Sequence, residues 1–192
     1  MSAAAPGPDG RLRCPWALSA PDYVSYHDDE WGRSTADDDA MFERLTLEGF
    51  QSGLSWLVIL RKRPAFRAAF DGFRIERVAA FTDRDVERLL GDAGIVRNRA
   101  KIEATIANAQ AASGLPDGLR AHLQSFAPAE SAPAPRTTAD VRATSPESVA
   151  MSKDLKRRGF RFVGPTTAYA LMQATGLVDD HLTECWRRSH RS

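Results

Sequence analysis

The spacing of apolar residues along the chain predicts helices almost throughout. Met41, Phe42 and Leu45 fall on one face of "DDDAMFERLTLEGF", and the aspartates that precede them suit the first turn of a helix. "RNRAKIEATIANAQAA" carries Ile102 and Ile106 at helical spacing, and its alanines favour the helical state. The alternation typical of strands is almost absent. The pattern therefore predicts an all-α fold with short connections.

Prolines and glycines predict where several helices begin and end. Helices are expected from Pro146 to Gly159 and from Pro165 to Gly176, because proline suits the first helical position and glycine suits the end. "GLSWLVILRKR" is apolar nearly all round, which predicts a buried helix. Pro64 is expected to open the helix that follows it.

The composition is that of one soluble globular domain. The chain has 192 residues, of which 43% are hydrophobic and 27% charged, and no apolar run is long enough to span a membrane. We expect a domain over residues 13–186, with a surface loop rich in Pro and Ala over 127–146. Residues 1–12 are expected to be a disordered tail and 187–192 a basic tail. The first residues lack the features of a secretory signal, so a cytoplasmic location with reduced thiols is expected.

Charge alone does not identify a partner, because the net charge is only +1. Local basic clusters exist, such as Arg97, Arg99 and Lys101, and these suit either phosphate binding or a solvated helix face. The cluster follows "LLGDAGIV", which reads as a helix and a glycine-containing turn leading into a second helix. Such a turn directs backbone N–H groups towards a phosphate in a helix-hairpin-helix element. An ordinary corner between two helices has the same pattern.

The stretch "DDHLTEC" places His181 four residues before Cys185, one of only two cysteines in the chain. On a helix these two side chains would converge on one ion. Cys14 and His27 form a second Cys/His pair, and the four together match a closed tetrahedral zinc site. The alternative is that both cysteines are small buried apolar residues, as free cysteines usually are.

An acidic residue lies in apolar surroundings at Glu48, between a run of hydrophobic residues and the glycines Gly49 and Gly53. It is either a residue of a helix surface or a buried acid, and a buried acid would need hydrogen-bond donors from protein or ligand. Four aromatic residues fall within sixteen positions of one another, and a fifth follows Glu48 by eight positions. They suit either a hydrophobic core or a platform on which nucleobases stack: Trp16, Tyr23, Tyr26, Trp31 and Trp56.

Taken together, these stretches resemble the DNA-3-methyladenine glycosylase I family of the helix-hairpin-helix superfamily. The matching segments are "RCPW", "YHDDEWG", "LEGFQSGLSWLVILRKR", "DAGIVRNRAKI" and "KRRGFRFVGPTTAYALMQATGLVDDH", followed by His-x3-Cys. They cover nearly everything from Arg13 to Cys185. The resemblance implies a helix-hairpin-helix glycosylase fold for the domain, with the helix-hairpin-helix element over about 85–110. It also implies a monomeric, nucleoid-associated enzyme that flips 3-methyladenine out of double-stranded DNA and releases it, leaving an abasic site.

The resemblance also implies roles for individual residues. Glu48 is expected to be the catalytic residue and to hydrogen-bond the flipped base. It would act by recognition and electrostatics rather than by nucleophilic attack. The other expected base-binding residues are Trp16, Tyr26 and Trp56. The expected DNA-binding residues are Gln51, Gly53, Leu54, Gly94, Val96, Arg97 and Lys101. The expected ligands of one structural zinc ion, which would join the two ends of the domain, are Cys14, His27, His181 and Cys185.

Two positions depart from the family pattern, and two other functions fit part of the sequence. Phe50 is larger than expected and would reshape the rim of the pocket, and Val96 replaces the second glycine of a generic hairpin. Asp117 lies near the distance at which related glycosylases carry an essential aspartate, but its "LPDG" context predicts a turn.

The rival functions are a zinc-stabilised protein that binds damaged DNA without cleaving it, and an all-α interaction protein that binds neither zinc nor DNA.

Overall fold

The computed structural model describes residues 2–188, and helices form most of its secondary structure. Within this range the α-helices are α1 (Pro21–Asp29), α2 (Asp38–Gln51), α3 (Trp56–Ala69), α4 (Ile75–Ala79), α5 (Asp83–Gly91), α6 (Arg99–Ser113), α7 (Gly118–Gln124), α8 (Pro146–Arg157) and α9 (Pro165–Ala174). Short 3₁₀ helices occupy Pro15–Leu18 and Asp71–Phe73. None of the helices in the described part of the chain has the length and apolar character needed to cross a bilayer.

The beginning of the chain is ordered, so the expected disordered tail over 1–12 is wrong for its described residues. Two short antiparallel strands pair there, β1 (Ala5–Pro6) and β2 (Leu12–Arg13). The buried Arg13 guanidinium holds this hairpin against the domain, because it donates to Asp9 at 2.6 Å and to Asp28 of α1 at 2.7 Å. The expected basic tail over 187–192 lies mostly outside the described residues.

Helix α2 is the centre of the fold, and every residue from 41 to 50 is buried. Helices α3, α6, α7 and α9 pack around it. Phe50 of α2 packs against Phe66 and Phe70 of the α3 region, with ring centroids 4.7 and 6.0 Å apart. Burial of this many aromatic and aliphatic side chains supplies the main driving force for folding. Phe50 is therefore a core residue, and the expectation that it shapes the pocket rim is wrong.

Helix α3 differs from its prediction in two respects. Pro64 lies inside the helix and does not open a new one. A proline in a helix removes one backbone hydrogen bond, but Ile59 and Phe66 on either side of it are fully buried in the core and hold the helix together. The helix is also not buried all round, since Val58 is exposed.

Helices α5 and α6 are joined by the turn 92–98. A capping box of Thr82 and Asp85 is present at the start of α5. Within the turn the Asp92 carboxylate accepts the Gly94 amide at 2.7 Å. A Cβ at Gly94 would lie 3.0 Å from the Ala65 side chain, so the turn packs closely on α3. This fixes the position of the turn relative to α3.

Candidate functional site

A cavity of about 450 Å³ opens between the 3₁₀ turn at 15–18 and helices α1, α2, α3 and α9. Most of its wall is apolar, and the side chains around it are Cys14, Trp16, Tyr23, Tyr26, Trp31, Glu48, Gln51, Trp56, Thr138, Val141, Ala170, Gln173, Asp180 and Leu182. All four residues expected to bind a base lie in this wall. A cavity of this size can hold a planar ring system as large as a nucleobase.

Glu48 lies on the buried face of α2 at the bottom of the cavity, and only 6% of its surface is exposed. Burial disfavours the carboxylate and raises the pKa of Glu48 to about 8, while the nearby Arg44 guanidinium opposes this rise. Within residues 2–188 the Glu48 carboxylate has no hydrogen-bond donor of its own. A cationic ligand in the cavity would favour the ionised form, which gives this site a physical preference for positive charge.

Aromatic rings enclose the space above Glu48. Tyr26 and Trp56 approach with ring centroids 5.4 Å apart and planes tilted by 47°. Trp16 lies beside Tyr26 at 6.3 Å and meets Trp31 edge-on at 5.2 Å. Aromatic faces attract cations and stack on planar rings. The cavity therefore combines an acid with aromatic surfaces, which is a suitable environment for a flat cationic base.

Arg44, which the sequence did not single out, lies one helical turn before Glu48 on α2. Its guanidinium lies 5.7 Å from the Tyr26 ring centroid and pairs with Glu30. Arg63 of α3 also pairs with Glu30, and with Glu43 of α2. This buried network pairs the charged side chains of Arg44 and Glu43 on α2. An arginine at i−4 from a buried acid was the only signal in the sequence.

A second set of cavity residues was also missed. The Asp180 carboxylate accepts the Tyr169 hydroxyl at 2.8 Å and the Gln173 side-chain amide at 2.7 Å. Gln173 and Asp180 both line the cavity on the side of α9. Asp180 immediately precedes His181 in "DDHLTEC", and that position was the available signal.

The Cys and His residues from both ends of the domain meet beside the cavity. The ligand atoms of Cys14, His27 and Cys185 lie within 4.8 Å of one another, and this buried group can hold a metal ion. The Cys185 Sγ and His27 Nε2 atoms are 3.4 Å apart, near the spacing of about 3.5 Å that tetrahedral zinc bonds require. The pKa of the Cys185 thiol is lowered because Cys14 donates to it and His27 lies near. A lowered thiol pKa favours metal ligation.

His181 is next to this group and fits as a fourth ligand. Its ring lies 5.1 Å from that of His27, and its Nε2 atom is buried without a hydrogen-bond partner. The Nδ1 atoms of His27 and His181 contact Asp28 and Asp179 at 2.8 and 2.9 Å. Carboxylates on Nδ1 are the usual way in which proteins direct Nε2 of a histidine towards a metal.

The reason for this convergence differs from the prediction. Helix α9 ends at Ala174, and residues 181–185 form turns, so His181 and Cys185 do not share a helix face. The segment is held by other contacts instead, such as the Leu182 amide to the Cys14 sulfur at 3.5 Å. Gly32 permits the His181 ring to approach, since a Cβ there would lie 2.7 Å from it.

Three of the residues expected to bind DNA, Gln51, Gly53 and Leu54, lie at the end of α2 and just after it. Gln51 lines the cavity, and Leu54 is exposed over 40% of its surface. Gly53 has a φ of +81°, a conformation that favours glycine. The turn 92–98, which contains Gly94 and Val96, is held against α3, where Lys62 donates to the Gly94 carbonyl at 3.1 Å.

Lys101 does not present its charge to solvent, which corrects its expected role as a DNA ligand. Only 8% of the residue is exposed. Its ammonium donates to the carbonyls of Phe50 at 2.7 Å and Ser52 at 2.6 Å, so it holds the end of α2. Arg97, in contrast, is exposed, and its side chain is accessible to a phosphate. Asp117 precedes α7 in a turn, as its context predicted.

The comparison with known proteins agrees with this architecture. The chain matches the family described as methyladenine glycosylase over residues 16–188. The chain belongs to this family. The DNA-3-methyladenine glycosylase 1 of Escherichia coli (strain K12) is 44% identical over 177 residues, which are 90% of this chain and 95% of that protein.

Solved structures of methyladenine glycosylases have the same fold. A crystal structure of 3-methyladenine DNA glycosylase I matches with a TM-score of 0.88 and 41% identity, covering 92% of this chain and all 100% of that one. A tyrosine-to-phenylalanine variant of 3-methyladenine DNA glycosylase I, solved in complex with 3-methyladenine, matches with a TM-score of 0.85 and 34% identity. This match covers 90% of this chain and 95% of the chain in that structure. The predicted family resemblance is confirmed.

Proposed function

We propose that this protein is a monofunctional DNA N-glycosylase that releases 3-methyladenine from alkylated double-stranded DNA. The observation that carries the proposal is the buried Glu48 carboxyl beside Tyr26 and Trp56, in a cavity large enough for one flipped base. Membership of the methyladenine glycosylase family supports the same activity. The product strand would contain an abasic site.

Recognition of the base follows from its charge. Adenine alkylated at N3 is a cation, and both the Glu48 carboxylate and the aromatic faces attract it. A cation–π contact contributes about 0.5–2 kcal/mol, depending on solvent exposure. Neutral adenine gains less from each contact, so the pocket selects by charge rather than by a steric barrier. The damaged base also pairs and stacks poorly, which lowers the cost of extruding it.

Bond cleavage needs little chemistry from the protein. The positive charge weakens the bond between sugar C1′ and base N9, and the bonding electron pair leaves with the base as it departs. Water then adds to the oxocarbenium-like C1′ and loses a proton. In this mechanism Glu48 binds the base and stabilises the developing charge in a dry pocket. It does not attack the sugar.

The DNA surface is proposed to lie at the mouth of the cavity. Leu54 is exposed and its segment is held firmly by Lys101, so it can fill the gap that a flipped nucleotide leaves. The α5–α6 pair forms the proposed helix-hairpin-helix element, with Gly94 and Val96 in its turn. Arg97 beside them supplies a positive charge for the phosphate backbone. Gln51 and Gly53 flank Leu54 and complete this surface.

The proposed ion beside the cavity is a single structural zinc. Two thiols and two imidazoles form a donor set that suits zinc in a closed tetrahedral site, from Cys14, His27, His181 and Cys185. The unpartnered Nε2 of His181 supports this assignment. The ion would supply stability, and no step of base release passes through it. As a bacterial-type repair enzyme, the protein is proposed to act as a monomer in the cytoplasm, on nucleoid DNA.

Base release is the direct test. The purified protein is incubated with DNA treated with a methylating agent, and the released bases are identified by chromatography. Release of free 3-methyladenine, with abasic sites left in the DNA, is expected. Tight binding to abasic DNA without any released base would instead favour a non-catalytic damage-binding protein. Absence of both DNA binding and metal would favour an interaction protein.

A further inference from the structure

Phe162 is an exposed aromatic residue in the connection between α8 and α9. It is exposed over 40% of its surface and has a φ of 55°, which lies in the left-handed region. Bulky residues rarely adopt this conformation, and they retain it only where the surrounding structure enforces it. Neither the proposed base pocket nor the proposed Leu54 segment uses this ring.

The backbone around Phe162 is held in place by buried polar side chains. Asn108 of α6 accepts the Arg161 amide at 2.7 Å and donates to the Arg161 carbonyl at 3.0 Å. Ser152 of α8 donates to the Val163 carbonyl at 2.6 Å. The residues on both sides of Phe162 are thus fixed, and the ring is directed outward on a rigid support. Asn108 lies on the second helix of the α5–α6 pair.

Phe162 also adjoins the segment that carries Leu54. A Cβ at Gly49 of α2 would lie 3.5 Å from the Phe162 Cβ, so Phe162 packs within van der Waals distance of the end of α2. The Lys101 ammonium lies 6.0 Å from the Phe162 ring centroid. The same ammonium donates to the Ser52 carbonyl, two residues before Leu54. Phe162 and the segment that carries Leu54 are therefore both in contact with one buried lysine.

We propose that Phe162 stacks on the base of the undamaged strand that loses its partner when the lesion flips out. This inference rests on the proposed glycosylase function, since it assumes that Leu54 faces the gap in the damaged strand. A rigidly held aromatic ring beside that segment offers an apolar face to the orphaned base. The exposed Arg161 beside the ring suits a nearby phosphate. Phe162 is thus a DNA-positioning residue.

The test uses a duplex with an abasic analogue opposite 2-aminopurine, whose fluorescence reports stacking. Phe162→Ala is expected to weaken binding of this duplex about 5- to 100-fold, the range for loss of one aromatic–base stack, and to abolish the fluorescence change. Phe162→Tyr keeps the ring and should retain both. Val149→Ala removes an apolar side chain of α8 that is exposed over 48% and serves as the matched control.

Phe162→Gly provides a second variant without a ring, for which a φ of 55° is unstrained. Both ring-less variants should bind free 3-methyladenine as the wild type does, because the ring lies outside the base pocket. Equal duplex affinity and equal fluorescence change in Phe162→Ala, Phe162→Gly and Val149→Ala would overturn the inference. If the wild type released no 3-methyladenine from methylated DNA, the proposed function itself would fail, and this outcome is distinct from the first.

Discussion

The base pocket and the Cys/His cluster are neighbours, yet each leaves a different kind of group without a partner. In the pocket, the Glu48 carboxyl is buried below aromatic rings, and its pKa is raised to about 8. In the cluster, the Nδ1 atoms of His27 and His181 contact carboxylates, while the His181 Nε2 atom is buried alone. Trp16 separates the two regions and contacts the His27 ring at 5.3 Å.

The difference indicates two kinds of binding. The pocket is open, largely apolar and poised for a cation that enters and leaves, so the cost of the buried Glu48 is offset only while a ligand is bound. The cluster is closed, and its ligands come from segments far apart in sequence, so an ion there would be bound permanently. Cys14 and Trp16 are two residues apart, so the position of one wall of the pocket depends on the cluster. Glu48 belongs only to the pocket and Cys185 only to the cluster, so substitutions at these two residues test the regions separately.

The largest expected effect comes from breaking the cluster. Cys185→Ser should reduce the free energy of unfolding by about 4 kcal/mol or more, because a metal site that joins the chain ends contributes directly to folding. The measurement is chemical denaturation together with metal analysis. Glu184→Gln, an exposed residue of the same turn, should retain both stability and metal. Complete removal of metal by a chelator at neutral pH without a change in the thermal midpoint would contradict the structural role.

Glu48→Gln is expected to disrupt the pocket without affecting the cluster. The single-turnover rate of 3-methyladenine release should fall by about 10²- to 10³-fold, the range for loss of one preorganised electrostatic contact. Metal content should stay the same, and stability should not decrease, because a buried acid is replaced by a neutral isostere. Glu130→Gln, in the exposed loop, should leave the rate unchanged. Full retention of rate and base affinity by Glu48→Gln would rule out the role proposed for Glu48.

The raised pKa of Glu48 also predicts a dependence on pH. If the free enzyme must ionise Glu48 to bind a cationic base, kcat/KM should rise by up to tenfold per pH unit up to about 8 and level off above. Stability should follow the opposite direction. The folded pKa is above the ordinary value of 4.5, so the wild type loses stability relative to Glu48→Gln as pH rises from about 4.5 to 8. Parallel pH profiles for both proteins would contradict both expectations.

Much of the helical framework was predictable because local signals determine it. The apolar spacing in α2, the capping box of α5 and the first-turn proline of α8 each depend on residues close in sequence. Pro64 misled the prediction, because packing of Ile59 and Phe66 on the core outweighs the lost hydrogen bond. The order of residues 2–12 depends on the salt bridges of Arg13, and no local pattern reveals such a long-range contact.

The sequence predicted which residues belong to the candidate site better than it predicted how they are arranged. The convergence of His181 and Cys185 was expected from a helix, whereas turns produce it. Lys101 looked like a phosphate ligand because its charge is visible in the sequence, but its burial against the end of α2 is not. Phe50 likewise belongs to the core. Such errors share one cause, since the direction of a side chain depends on tertiary packing.

The smallest expected effect is on DNA affinity, and it distinguishes the role of Arg97 from that of Lys101. Arg97→Ala should weaken DNA binding by a few-fold and reduce the slope of log affinity against log salt by about 1, because one phosphate contact is lost. Lys101→Met should leave that slope unchanged, since its ammonium faces the carbonyls of Phe50 and Ser52. It should instead lower the free energy of unfolding by about 1–3 kcal/mol, the cost of leaving buried acceptors unpaired. Titrations of duplex DNA at several salt concentrations measure both slopes. An equal loss of slope in the two variants would show that Lys101 contacts DNA after all.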